Sequence, residues 1–200
     1  INYFCNPVIR NCTFTMNSAE LGGGGVYSEG NAPVFIDCTF TRNTSLGDAH
    51  GWGGAVLNGY FSAPEMYNCS LMGNSAVEGG AVFNLIFSES RMVNCTIVGN
   101  AANSAGGGVF GYDDSAPEMA NCVVWSNTPD AFAGTAATVR YSCVEGGYSG
   151  DGNIAATPNF VIPPSPGLDA TWGTEDDNYG DVRLSHGSAC IDAADDGALP

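Results

Sequence analysis

The sequence predicts an all-β solenoid, a parallel β-helix with three short strands per rung, and three observations predict it. First, nearly the same nine residues recur five times, aligned on Cys12, Cys38, Cys69, Cys95 and Cys122. Asn11, Asp37, Asn68, Asn94 or Asn121 precedes each cysteine, and Asn17, Asn43, Asn74, Asn100 and Asn127 stand five residues after it without exception. Second, the cysteines lie 26, 31, 26 and 27 residues apart, a solenoid period rather than a domain length. Third, Lys is absent while Gly (28), Asn, Ser, Thr and Val abound, the composition of short strands joined by tight turns.

Each rung reads in order. It opens on a glycine pair (Gly23-Gly24, Gly53-Gly54, Gly79-Gly80, Gly106-Gly107) followed two residues on by Val26, Val56, Val82 or Val109. Such a pair can take positive φ and lets rungs approach without Cβ contact, so it marks the corner before the first strand. A second strand starts at Pro7, Pro33, Pro64, Ser90 or Pro117, because proline lacks an N–H and suits a strand's opening rather than its middle. Three residues before each cysteine stands Ile9, Phe35, Met66, Met92 or Met119, and two after it Phe14, Phe40, Leu71, Ile97 or Val124. The first of these and the cysteine are an odd number apart, so a straight strand would point them to opposite faces. A bend at the intervening Asn or Asp turns both inward and begins a third strand. Stacked Asn side chains can then hydrogen-bond from rung to rung and satisfy the backbone at the bends.

Irregularities are placed by the same grid. The first rung lacks its glycine pair, and since Ile1 is no initiator methionine the chain is expected to be a processed or partial product. The 31-residue spacing holds an insertion, Leu46 to Trp52, expected to bulge as a loop. After Asn127 the pattern decays, with Thr138 to Val144 supplying one more strand and Cys143 extending the cysteine column. The division expected is a β-helix over residues 1–145 and a Gly, Pro and Asp rich cap over residues 146–200 that covers the last rung's edge.

The rungs that read G-G-A-V…P-E-M-Y-N-C-S-L-M-G-N-S-A resemble those of secreted bacterial right-handed β-helix proteins and the polymorphic outer-membrane type of adhesin repeat. The tail is similar to the end of such arrays in large environmental bacterial surface proteins, through T-P-N-F-V (157–161), W-G-T-E-D-D-N-Y-G-D-V-R-L (172–184) and G-S-A-C-I-D-A-A-D (187–195). Ala189 and Ala194 depart from the usual G-S-P-C-I-D-A-G-D. The resemblance spans almost the whole chain and implies right-handedness and an extracellular or cell-surface place. Its motifs are structural, so no activity follows from them.

Five Arg against 21 acidic residues give a net charge of -16, which argues against a nucleic-acid or anionic-membrane partner. No apolar run reaches the roughly 18 to 20 residues of a membrane span. Cys12, Cys38, Cys69, Cys95, Cys122 and Cys143 would stack about 4.8 Å apart, either as buried thiols or as disulfides between rungs. Cys5 and Cys190 lie outside the column at opposite ends of the chain. They are either ordinary buried residues or an intersubunit pair locking a head-to-tail filament, in which the tail adds a strand to the next subunit's open rung. Asp169, Glu175, Asp176, Asp177 and Asp181, with Asp151, Asn153 and Asn178 nearby, are either a solvated acidic loop or oxygen ligands for Ca²⁺.

An enzyme is the main rival class, since polysaccharide lyases and hydrolases also use right-handed β-helices. Hydrolysis needs two or three converging carboxylates, whereas Glu65, Glu78, Glu118 and Asp113-Asp114 are scattered over the repeat. A Thr array for ice fails too: Thr13, Thr15, Thr39 and Thr41 begin it, but Met72, Val98 and Trp125 abandon it. Trp52, Tyr60 and Trp125 could hold a glycan or pack under loops. The sequence therefore points to a non-enzymatic extracellular structural or adhesive β-helix, assembling with itself or other matrix components. A carbohydrate-active β-helix is the alternative.

Overall fold

A computed structural model describes residues 2–3, 5–48 and 50–198. Ile1 and Phe4 of the first rung, Ala49 of the expected insertion loop, and residues 199–200 of the expected cap lie outside the described residues. The chain winds into a parallel solenoid whose strands stack rung upon rung. The first of three six-stranded sheets runs through Asn2–Tyr3, Val26–Glu29, Val56–Gly59, Val82–Leu85, Val109–Tyr112 and Phe132–Gly134. The second contains Val8–Arg10, Val34–Ile36, Glu65–Tyr67, Arg91–Val93, Glu118–Ala120 and Thr138–Arg140. The third contains Thr13–Thr15, Thr39–Thr41, Ser70–Met72, Thr96–Val98, Val123–Trp125 and Cys143–Val144. A fourth, shorter sheet (Ser18–Ala19, Thr44–Ser45, Ser75–Glu78, Ala101–Ala105) follows the Asn column, beyond the three strands expected.

The register explains the grid. Met66 pairs with Phe35 and Met92, and Leu71 with Phe40 and Ile97, so like positions stack inside the coil. Between the second and third sheets Asn11, Asp37, Asn68, Asn94 and Asn121 all take φ between 53° and 56°. That left-handed bend, which Asn and Asp tolerate well, is what turns Met92 and Cys95 both into the core. A second such bend, not foreseen, stands four residues after each cysteine at Met16, Arg42, Gly73, Gly99 and Ser126.

The glycine pair divides its labour. Gly53 takes φ 64°, whereas Gly54 is needed for closeness: a Cβ there would lie 2.3 Å from the Gly80 carbonyl oxygen. The apolar core lies between the sheets, with Phe14 stacked on Phe40 at 4.7 Å and Phe35 edge-on to both.

The region after residue 145 does two things. Residues 146–157 lie on the last rung: Ile154 bridges Cys143, Tyr148 packs on Phe132 at 4.8 Å, and Asn153 Nδ2 donates to the Val139 carbonyl at 2.8 Å. The remainder turns back along the flank of the coil instead of covering its end. It is held by an antiparallel pair, Phe160–Ile162 with Asp181–Leu184, and by contacts to earlier rungs. Trp172 sits over Gly99 and Tyr179 over Gly73. Arg42 stacks 5.6 Å above the Tyr179 ring and donates to the Glu175 carbonyl at 2.9 Å. Farther along, Asn121 exchanges two hydrogen bonds with the Asp195 backbone (3.0 and 2.9 Å), and Arg91 donates to the Ala198 carbonyl.

Candidate functional site

The inner columns are structural in every contact they make. Asn17, Asn43, Asn74, Asn100 and Asn127 form a continuous amide ladder, each Nδ2 donating to the next Oδ1 at 2.8 to 3.0 Å. The same amides also accept the preceding rung's corner N–H: Asn74 N to Asn100 Oδ1 is 2.9 Å. Their second N–H reaches a core-strand carbonyl, as from Asn100 to Leu71 at 3.0 Å. Cys38, Cys69, Cys95 and Cys122 are buried thiols that donate to strand carbonyls at 3.2 to 3.6 Å, while Cys12 is exposed on the first rung. Burial pushes the Cys38 and Cys95 thiols above their ordinary range, which keeps them protonated and inert.

Cys143 does not belong to this column. Ala120 pairs with Arg140 and Val123 with Cys143, so Ser142 occupies the cysteine position and accepts the Cys122 N–H at 3.0 Å. The last turn is shortened, so a match on residue type alone is one place out of register, and Cys143 points outward under the returning tail. Cys190 lies there beside it, whereas Cys5 is exposed in the first rung.

The acidic tail residues turn most of their oxygens to their own loop, while the buried Asp177 Oδ1 has no hydrogen-bond partner. Asp176 accepts from Leu168 N and Thr174 Oγ1, and Asp177 from Gly173 N, Thr174 N and the Tyr179 hydroxyl. Asp169 accepts from Thr171 N, Asp181 pairs with Arg183, and Glu175 is exposed. Among the described residues no three His, Cys, Asp or Glu side chains gather as a metal ion would require. The scattered carboxylates stay scattered: Glu65 accepts from Tyr67, while Glu118, Asp113 and Asp114 face solvent at separate points.

What the coil does gather is aromatic. The outer face of the first sheet carries Tyr27, Leu57, Phe83 and Phe110, a second apolar cluster outside the coil. Trp52, delivered by the insertion, stacks on Phe83 at 5.2 Å, and Phe83 stacks on Phe110 at 5.0 Å. Beside them Tyr27, His50, Trp52, Leu57, Tyr60 and Leu85 line a groove of about 800 Å³. The groove runs into a ridge at the turn after the sheet. There Tyr60, Phe61, Phe87 and Tyr112 are 44%, 68%, 49% and 51% exposed, and Phe61 lies parallel to Phe87 at 5.5 Å.

Buried serines fix this ridge. Ser62 N donates to Ser88 Oγ and Ser88 N to Ser115 Oγ, while Ser62 and Ser88 Oγ bond back to the Gly59 and Leu85 carbonyls at 2.7 Å. The turn residues Phe61 and Phe87 take φ 59° and 54°, which presents both rings outward on successive rungs. Of the three aromatics singled out in the sequence, Trp52 and Tyr60 meet here; Trp125 lines a separate crevice under Pro158, Pro163 and Pro164 of the tail. Phe61 and Phe87 were missed, although their spacing of 26 and the Ser following each carry the signal.

No curated protein and no solved structure matches the chain significantly. The family model described as "right handed beta helix region" matches residues 1–148, almost the same stretch that forms the stacked rungs. The chain therefore belongs to the right-handed β-helix family.

Proposed function

We propose that this protein is a non-enzymatic extracellular β-helix that adheres to neutral glycans through the ridge of Tyr60, Phe61, Phe87 and Tyr112 and the adjoining Trp52 groove. The observation that carries this reading is the stacked, outward-facing Phe61 and Phe87 pair on a rigid rung-to-rung turn. Aromatic rings held open to water are costly, and an exposed apolar patch of this kind marks a surface that meets a partner. Flat aromatic faces suit the apolar faces of pyranose rings. The net charge of -16 disfavours anionic polymers and selects for uncharged sugars. Against catalysis stands the position of the carboxylates, none of which pairs with another across this groove; Glu20 lines it with His50 as its other titratable neighbour apart from the two tyrosines.

Retention on insoluble neutral polysaccharides tests the reading. The double variant Phe61→Ala/Phe87→Ala is expected to lose about tenfold or more in affinity, taking roughly 0.5 to 1.5 kcal/mol per ring, with its far-ultraviolet dichroism unchanged. Release of reducing or unsaturated ends from the same polymers by the wild-type protein would overturn the non-enzymatic part. Unchanged retention in the double variant would overturn the site.

A further inference from the structure

The observations carry furthest at the junction between the last rung and the returning tail. Cys143 is displaced from the thiol column by the register of the last turn, which places Ser142 inward and Cys143 outward. Facing outward it would be an exposed thiol, yet it is buried, between the 154–156 segment, where its Sγ donates to the Ala156 carbonyl at 3.0 Å, and the segment that carries Cys190. Cys143, Cys190, Ile154, Tyr141 and Ala193 line one small crevice, which both thiols share.

Cys190 is held in place from both sides. Two residues before it, buried Ser188 bonds through Oγ to the Pro158 carbonyl; five residues after it, Asp195 is clasped by Asn121. Unlike the column cysteines, which lie inside the coil on successive rungs, this pair lies outside it and brings together the last rung and the returning tail, 47 positions apart (190 minus 143).

We propose that Cys143 and Cys190 are a disulfide-forming pair that locks the returning tail onto the last rung of the coil. The oxidant is a small-molecule or protein disulfide, as an oxidising extracellular setting supplies. The half-buried Cys190, as thiolate, attacks one sulfur of that disulfide and expels a thiolate, giving a mixed disulfide. Cys143 then gives up its proton, attacks Cys190 Sγ and expels the second thiolate. Two S–H bonds are lost and one S–S bond is formed, and the two electrons and two protons leave with the reduced donor. The order follows from access: burial, together with the neighbouring thiol, pushes Cys143 up to about 12, so it is the resolving partner rather than the first nucleophile.

The full 200-residue chain is incubated with oxidised glutathione, remaining thiols are alkylated under denaturing conditions, and proteolytic fragments are mapped by mass. The expected result is a cross-linked pair of fragments containing Cys143 and Cys190 that separates on reduction, with Cys38, Cys69, Cys95 and Cys122 alkylated. The oxidised protein should melt at a higher temperature than the reduced one, because the cross-link restricts the unfolded chain. In Cys190→Ser, half-buried and so tolerant of the change, that difference should vanish while the reduced melting temperature stays that of the wild type. Full alkylation of both residues after oxidation overturns the proposal. So does pairing of Cys190 with Cys5 of another chain, seen as reducible multimers, which would instead establish the locked filament.

Discussion

At the residue scale the Asn ladder does what backbone alone cannot. The corner between the third and fourth sheets leaves N–H groups with no strand partner, and a buried polar group without a partner costs about 1 to 3 kcal/mol. Asn100 answers this from both sides: its Oδ1 accepts from Asn74 N and Nδ2, and its own Nδ2 donates to Asn127 and Leu71. A second pair, Asn58 and Asn84 in the first sheet, makes one side-chain bond at 2.9 Å, and Asn58 Oδ1 and Asn84 Nδ2 are left without partners. Both Asn84 and Asn100 are fully buried, so their substitution separates bonding from burial. Asn100→Ala is expected to destabilise by about 3 kcal/mol, since several groups lose partners together. Asn84→Ala should cost markedly less, and exposed Glu89→Gln under about 0.5 kcal/mol. Urea unfolding ranks the three; an Asn84 effect as large as that of Asn100 would mean that packing volume, not the ladder, sets the cost. The Asn100 column was legible in the sequence because its residue never varies, whereas the Asn58 and Asn84 column is interrupted by Ser28 above and Gly111 below.

At the element scale the bends decide what packs outside. The left-handed position four residues after each cysteine is filled by Met16, Arg42, Gly73, Gly99 and Ser126, so its backbone accepts side chains on three rungs. Glycine appears on the two rungs where an aromatic ring of the tail lies directly on the bend. A Cβ on Gly73 would sit 2.0 Å from the Tyr179 ring, and one on Gly99 2.8 Å from Trp172. These glycines therefore make a shelf for the returning tail, and the left-handed strain they relieve, roughly 1 to 2 kcal/mol, is secondary. Gly73→Ala should release the tail around Tyr179, seen as faster proteolysis of residues 168–182, while the coil keeps its dichroism. In a double-mutant cycle, Tyr179→Ala should add little once Gly73 is Ala, because the two changes break one contact. Additive effects would place the cost in the backbone of Gly73 instead. None of this was legible in the sequence, where Arg42 and Glu175 lie 133 positions apart and no repeat links them. The fourth sheet was hidden for a related reason: Ser18–Ala19, Thr44–Ser45, Ser75–Glu78 and Ala101–Ala105 share no marker residue, and only their stacking defines them.

At the scale of the whole molecule, the coil was readable because one supersecondary unit repeats and each copy restates the same inward pattern. The site was readable in part. Trp52 and Tyr60 stood out as aromatics, but their joining with Phe61 and Phe87 depends on which rungs stack. The charge of the whole chain makes a further demand on stability. With 21 acidic residues and five Arg, and with Arg183–Asp181 the one ion pair among the described residues, the fold carries a large uncompensated negative field. Self-repulsion of this kind destabilises the compact state and is screened over about 10 Å at 0.1 M salt. The melting temperature should therefore climb between ~0.01 M and ~0.15 M sodium chloride, where the Debye length falls from about 30 to about 8 Å. Divalent cations sharpen the test, because Asp169, Asp176, Asp177 and Asp181 already hold backbone or side-chain donors of their own loop. Screening does not distinguish ions of equal charge, so Ca²⁺ and Mg²⁺ at matched ionic strength should raise the melting temperature equally, and a chelator should only undo that rise. A Ca²⁺ bound by six to eight oxygens at fixed distance would not be matched by the smaller Mg²⁺. A rise specific to Ca²⁺, lost in Asp176→Asn, would replace diffuse screening with a bound ion in the tail.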